Sequence, residues 1–216
     1  MDIDICRVVF EDLEFTARYS EKIRGYIGNK YRENDLLHNH IEDKFIYRYP
    51  LVQYKVILKK PTVIGIGEGA NIVARIGIAD DELILDGKKY ETFQRNVMRH
   101  TNYFGYTDDY IEYKFLTPWI ALSQKNSEIY KNSNSIEKEE LIRRILIGNI
   151  LSMSKGLGYT VEGKLSSWIN LEEREVMLKG IKHIGFVGNF KVNFKIPNEL
   201  GIGKSVSRGF GTIKCI

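Results

Sequence analysis

An α+β protein of two tandem ferredoxin-like (RRM-like) domains is what this chain of 216 residues predicts, and three observations carry the expectation. Strand-like and helix-like stretches run β-α-β-β-α-β over residues 1–90, the order of the split βαβ unit. A related order begins again at Tyr110. The length suits two domains of roughly 100 residues each, and a hydrophobic content of 43% can furnish a core for both.

The elements follow in order. Ile3, Ile5 and Val9 alternate along Asp2–Phe10, the period of a strand. Phe15, Tyr19, Ile23 and Tyr26/Ile27 recur at helical spacing, with Gly28 and Asn29 as the stop. A polar, charged loop covers 31–43. Residues 45–58, rich in Tyr, Val and Ile, read as a long strand broken at Pro50, and Lys59-Lys60-Pro61 as a turn into a strand at 62–66. A short helix at 68–76 and a closing strand at 83–85 complete residues 1–90. Residues 91–109 lack clean periodicity and read as a connector. The second domain, 110–216, opens with a strand at 110–122 and a polar loop at 125–134. Asn134 or Ser135 then caps the strongest helix, with Leu141, Ile145, Ile147/Gly148 and Leu151 on its apolar side and Lys155-Gly156 at its end. Two β-rich stretches, 173–178 and 185–196, a glycine-rich segment and a last strand at 212–216 finish the chain.

Bulk properties narrow the function. The net charge of +4 and pI near 8.9 permit a polyanionic partner without demanding one. Cys6 and Cys215 lie at opposite ends with no C-x-x-C spacing, which suits a reducing cytosol and neither a zinc site nor a disulfide framework. The acidic start Met1-Asp2-Ile3-Asp4 is no signal peptide, and no apolar run approaches the length of a membrane span. The expectation is a soluble, cytoplasmic protein without membrane contact.

His38-Asn39-His40 holds two of the four histidines. In extended chain, residues i and i+2 share a face about 6.5 Å apart. Two imidazoles so placed can straddle one phosphate, one neutral as general base and one protonated as general acid. RNA supplies its own 2′-hydroxyl nucleophile, so such a pair needs no metal. The plain alternative is an exposed polar loop. The letters H-N-H do not make a metal nuclease, whose His and Asn residues spread over a ββα unit. His100 and His183 read as structural or exposed.

Two glycine-rich stretches fail as nucleotide sites. Gly203-Lys204-Ser205 resembles the end of a P-loop, but Asn198 stands where the first glycine belongs and too little chain remains for the required helix. Gly65-Ile66-Gly67-Glu68-Gly69-Ala70 fits a loose dinucleotide fingerprint in a chain without alternating β-α units. The C-terminal segment reads instead as an RNA-contacting loop. Gly201, Gly203, Gly209 and Gly211 let backbone N–H groups approach phosphates, and Lys204 and Arg208 supply charge. A tight connection before an edge strand is the alternative.

That G-x-G-(five residues)-G-F-G loop, closing a second ferredoxin-like domain, resembles the repeat-processing endoribonucleases of CRISPR systems, members of the repeat-associated (RAMP) protein superfamily. Ile23-Arg24-Gly25, Asp35-Leu36-Leu37-His38-Asn39-His40, Tyr47-Arg48-Tyr49-Pro50-Leu51-Val52-Gln53-Tyr54-Lys55 and Gly65-Ile66-Gly67-Glu68-Gly69 are similar to the subgroup of type I-B systems. The resemblance runs over essentially the whole chain. It implies metal-independent cutting of CRISPR repeat RNA in a precursor transcript, without cofactor, by attack of the 2′-hydroxyl on the adjacent phosphate. The ends left are a 2′,3′-cyclic phosphate and a 5′-hydroxyl. It implies His38 and His40 as the catalytic pair, assisted by Lys30 and Tyr47. Lys30 would stabilise charge on the phosphorane and Tyr47 would orient the 2′-hydroxyl or a phosphate oxygen. Expected partners are repeat RNA, with other Cas proteins of an interference complex and a second copy of the chain admitted. Further RNA-binding candidates are Arg143 and Arg144 on the strong helix, and Lys155 and Lys164 around Gly156-Leu157-Gly158-Tyr159. The rival expectation is a non-catalytic scaffold that binds repeat RNA without cutting it.

Overall fold

The computed structural model describes the chain except residues 39, 42, 43, 46–48 and 80, and of residues 35, 38, 40, 41, 44 and 45 it describes the backbone alone. Two units result. One comprises Asp2–Asn102 with Ser207–Gly209, and the other Met1, Tyr103–Val206 and Phe210–Ile216.

The N-terminal unit contains β1 (Asp2–Phe10), α1 (Tyr19–Lys30), the one-turn α2 (Asp35–His38), a small ladder of β2 (His40–Ile41) and β3 (Lys44–Phe45), β4 (Val52–Ile57), β5 (Lys60–Ile66) and α3 (Glu68–Ala79). A hairpin of β6 (Glu82–Leu85) and β7 (Lys88–Glu91) and the strand β8 (Arg95–Tyr103) follow. The sheet order is β4-β5-β1-β8. Numbered along the chain as sheet strands, that is 2-3-1-4, the ferredoxin-like order. Cys6, Val8 and Phe10 of β1 pack with Ile23 and Ile27 of α1 and with Val73 and Ile76 of α3 in one core.

Three expectations change here. The strand at 83–85 does not close the sheet, because β6 pairs only with β7. The closing strand is β8, inside the stretch 91–109 that read as a connector. β8 lacks alternation because both its faces are largely exposed, so period-two burial left no mark. The turn between β4 and β5 is Leu58-Lys59, not Lys59-Lys60-Pro61. Both residues have positive φ, 49° and 68°, as a two-residue hairpin of primed type requires. Helix α1 runs through Gly28, which is buried inside it, to Lys30. Gly65 and Gly69 also find a reason without a nucleotide. A Cβ on Gly65 would lie 2.2 Å from the Gly69 carbonyl oxygen, so β5 and α3 meet this closely only through glycine.

The C-terminal unit contains β9 (Gly105–Trp119), α4 (Gln124–Asn132), α5 (Ser135–Gly156), β10 (Ser167–Leu178), β11 (Ile181–Lys195) and β12 (Ile213–Cys215). Its sheet order, β10-β11-β9-β12, is again 2-3-1-4. The second helix of the βαββαβ pattern is replaced by residues 196–212, which hold only a 3₁₀ turn at Val206–Arg208. Residues 125–134, expected as a loop, are mostly α4. Ser123 caps it by accepting from the Asn126 N–H, while the sequence is too polar to show a stripe, with Tyr130 alone buried. The buried face of α5 is Leu141, Ile142, Leu146, Ile150 and Met153, leaving Leu151 and Gly148 exposed. Apolar doublets at 141–142, 146–147 and 150–151 made two faces compatible with the sequence. Among the described residues no helix is long and apolar enough to cross a membrane.

The N-terminus of α5 is a full capping box. Asn134 accepts from the N–H groups of Ile136 and Glu137, both at 3.0 Å, and Glu137 accepts from the Asn134 N–H at 3.0 Å. Asn134→Ala is expected to lower stability by about 1 kcal/mol, read as a shifted urea midpoint at constant slope.

Candidate active site and nucleic-acid interface

Lys30 is the last residue of α1, exposed, with its Nζ 5.7 Å from the centre of the Tyr26 ring. The chain from there to His38 is set by a relay of backbone bonds. Tyr31 N–H donates to Ile27 O, Asn34 N–H to Tyr31 O and Leu37 N–H to Asn34 O, each at 3.1 Å. The Asn34 side chain accepts from Leu36 N–H at 3.2 Å, which starts α2, and Leu37 is buried in the core beside it. His38 closes α2 and His40 opens β2, where it pairs with Phe45. His38 is therefore helical and His40 extended, where extended chain was expected for both. Their side chains, and Tyr47 altogether, lie outside the described residues. Downstream the segment is held by Gln53, fully buried, whose Nε2 donates to the Tyr49 hydroxyl at 2.9 Å and to Pro50 O at 3.3 Å.

Ser207–Gly209 belong to the N-terminal unit, so this tip of the glycine-rich segment meets the start of α1. Arg208 Nε is 3.0 Å from a Glu21 carboxylate oxygen. Gly209 packs on Ser20, with its Cβ position 2.9 Å from the hydroxyl oxygen. Beside them is Arg24, whose guanidinium is pushed down from its ordinary value by burial first and by the Arg208 charge second. Tyr54 is fully buried nearby, its phenol pushed up by burial and pulled the other way by Arg24, and its hydroxyl has no hydrogen-bond partner among the described residues. Arg24 is a basic residue that the sequence marked only through the motif Ile23-Arg24-Gly25, with no role attached. Glu21 to Lys30 spans nine helical steps, or about 14 Å. Arg208 thus stands at the opposite end of α1 from Lys30 and does not converge with it.

The remaining candidates divide by what they touch. Lys204 donates to Leu122 O at 2.8 Å, and burial pushes its ammonium down from the ordinary lysine value. It lines an open groove of about 830 Å³ with Lys131, Arg174, Lys182 and His183. Arg143 donates to Ser167 O at 2.9 Å. Arg144, Lys155 and Lys164 are exposed. Gly201 bridges to Thr212, and Gly203 and Gly211 hold positive φ inside the closing segment. His100 is exposed on β8.

Two family models cover the chain, the Cas6b N-terminal domain over residues 1–103 and the Cas6b C-terminal domain over residues 105–216. The chain belongs to the Cas6b family. A crystal structure of Cas6b is 45% identical over the full length of both chains, with a TM-score of 0.96. Another, described as the CRISPR RNA processing endoribonuclease Cas6b, is 42% identical over both full lengths, with a TM-score of 0.82. An uncharacterised protein of Methanocaldococcus jannaschii is 49% identical over 133 residues, 61% of this chain and 90% of its own length. A Cas6 product complex, 13% identical with a TM-score of 0.63, shares the fold. The boundary at 103–105 between the Cas6b domains falls where β8 gives way to β9.

Proposed function

We propose that this Cas6b-family chain is a metal-independent endoribonuclease that cuts CRISPR repeat RNA in a precursor transcript into guide RNAs. One observation carries the reading: the likeness to a CRISPR RNA processing endoribonuclease runs over the whole of both chains at 42% identity. The quartet His38, His40, Lys30 and Tyr47 supplies the chemistry. One imidazole takes the proton of the 2′-hydroxyl as it attacks the adjacent phosphate. The other protonates the departing 5′-oxygen, leaving a 2′,3′-cyclic phosphate and a 5′-hydroxyl. Lys30 stabilises the dianionic phosphorane, and Tyr47 orients the attacking hydroxyl or a phosphate oxygen. The test incubates purified protein, in EDTA, with the repeat RNA and with a copy carrying one 2′-deoxy sugar upstream of the cut. Cutting of the normal RNA alone is expected. Binding of both with cutting of neither makes the chain a scaffold.

Arg144, near the middle of α5, Lys155, in its last turn, and Lys164, in the segment after it, are exposed and are proposed phosphate contacts. Each change to glutamine should lower the slope of log K against log salt by about 0.7 to 1, measured by fluorescence anisotropy. Arg143 and Lys204 donate to backbone carbonyls and Arg208 is ion-paired with Glu21, so their loss should also lower stability.

A further inference from the structure

The sheet of the C-terminal unit has one face packed in the core and one face open. Along β9 the odd residues Tyr113, Phe115 and Trp119 are buried, which turns Tyr110, Glu112 and Lys114 to the open side. Register carries that face across the sheet. Trp168 of β10 lies opposite Lys191 of β11, and Lys191 opposite Glu112. Lys114 lies opposite Lys214 of β12.

Two features of this face are costly for a surface that meets only water. Trp168 and Tyr110 are 52% and 44% exposed, and their ring centres stand 4.6 Å apart at 61°, an edge-to-face aromatic pair open to solvent. Lys114 and Lys214 are like charges directly opposed on adjacent strands, and neither has an acidic group within 4.0 Å among the described residues. Of the acidic residues on this face, Glu112 is paired with Lys191 and Glu172 with Arg174, each at 3.1 Å. Aromatic rings beside unmatched lysines on a four-stranded sheet are the elements with which proteins hold unpaired nucleotides: bases stack on the rings and phosphates lie over the ammonium groups. A protein partner would have to match the lysine pair with carboxylates, whereas an RNA strand brings both the flat bases and the evenly spaced charge.

From this juxtaposition we infer that the open face of the C-terminal sheet is a binding platform for a single-stranded stretch of RNA, with Trp168 and Tyr110 as base-stacking residues and Lys114 and Lys214 as phosphate contacts. It rests on the proposed function in that the RNA is the repeat transcript, and it adds a place on the protein where a strand lies. The platform is invisible to a search for cations alone, because its rings are 58 residues apart in sequence and adjacent only through strand register.

The test uses a 2′-O-methyl RNA octamer, which cannot be cut by 2′-hydroxyl attack. Trp119 is fully buried, so a stacking base should quench the emission of Trp168 selectively. Saturable quenching is expected in the wild type and in Trp119→Phe, and should be lost in Trp168→Phe. Trp168→Ala should bind roughly 5- to 150-fold more weakly, with Trp168→Phe restoring most of the affinity. Lys114→Gln with Lys214→Gln should lower the salt slope by about 1.4. Affinities within about twofold of wild type, with no quenching, overturn the inference. So does a dimer that Trp168→Ala dissolves in sedimentation, which would give the face to a second copy. Cutting of repeat RNA is followed in parallel. Cutting without quenching removes the platform and leaves the proposed function, and quenching without cutting does the reverse.

Discussion

His38→Ala, and separately His40→Ala, should lower the single-turnover rate of repeat-RNA cutting by about 10²- to 10⁴-fold, the range of a general acid or base removed from its transition state. Affinity for the uncut RNA should stay close to wild type, because each imidazole is expected to act on protons that move only in the transition state. The double variant should be little slower than the worse of the two, since an acid and a base serving one displacement act as a unit. A neutral base and a protonated acid together give a bell-shaped dependence of rate on pH, and each single variant should lose one limb. Lys30→Ala should be milder, because a charge 8 residues from His38 at an exposed helix end works through field rather than proton transfer. If both histidine variants cut at the wild-type rate, the residues are a polar loop and the catalytic role falls elsewhere.

The ferredoxin-like order was legible because its main strands read either as alternation, like the second half of β9, or as apolar runs buried on both faces, like β4 and β5, and because its longer helices carry apolar residues at helical spacing. β8 escaped because it is exposed on both faces, and α4 because a polar helix of nine residues anchored by one tyrosine has no stripe to read. The candidate site was legible in part for a different reason. His38-Asn39-His40 is local, so adjacency in the chain brings the histidines near one another whatever the backbone does. Glu21 and Arg24, three residues apart on α1, meet Arg208, and Trp168 meets Tyr110, only once the fold is formed. Such pairs depend on which strand or helix lies beside which, and no local pattern of charge or hydrophobicity encodes that.

The glycine-rich segment poses the same question in energetic terms, because its glycines were read as openings for RNA. Gly211 has φ of 64°, and its amide and carbonyl are both engaged, donating to Pro118 O and accepting from Ile202 N–H at 2.9 Å each. A Cβ there would stand 2.0 Å from the Ile202 carbonyl oxygen, which is backbone and cannot swing aside. Gly211→Ala therefore has no cheap relaxation. Left-handed backbone costs alanine about 1–2 kcal/mol, and a shift large enough to clear the oxygen strains or breaks buried hydrogen bonds worth roughly 1–3 kcal/mol. The expected loss is about 3 kcal/mol, or about 6–12 °C in Tm for a chain of this size, measured without RNA. Gly148 is the matched control: it sits exposed within α5 with nothing within 4 Å of a Cβ, so Gly148→Ala should raise stability by about 0.5–1 kcal/mol. A Gly211→Ala protein as stable as wild type, yet weakened in RNA binding, would mean that this glycine serves the ligand. A destabilised one means that the closing connection of the C-terminal sheet demands it, and that any RNA contact uses a backbone shape the fold had already required.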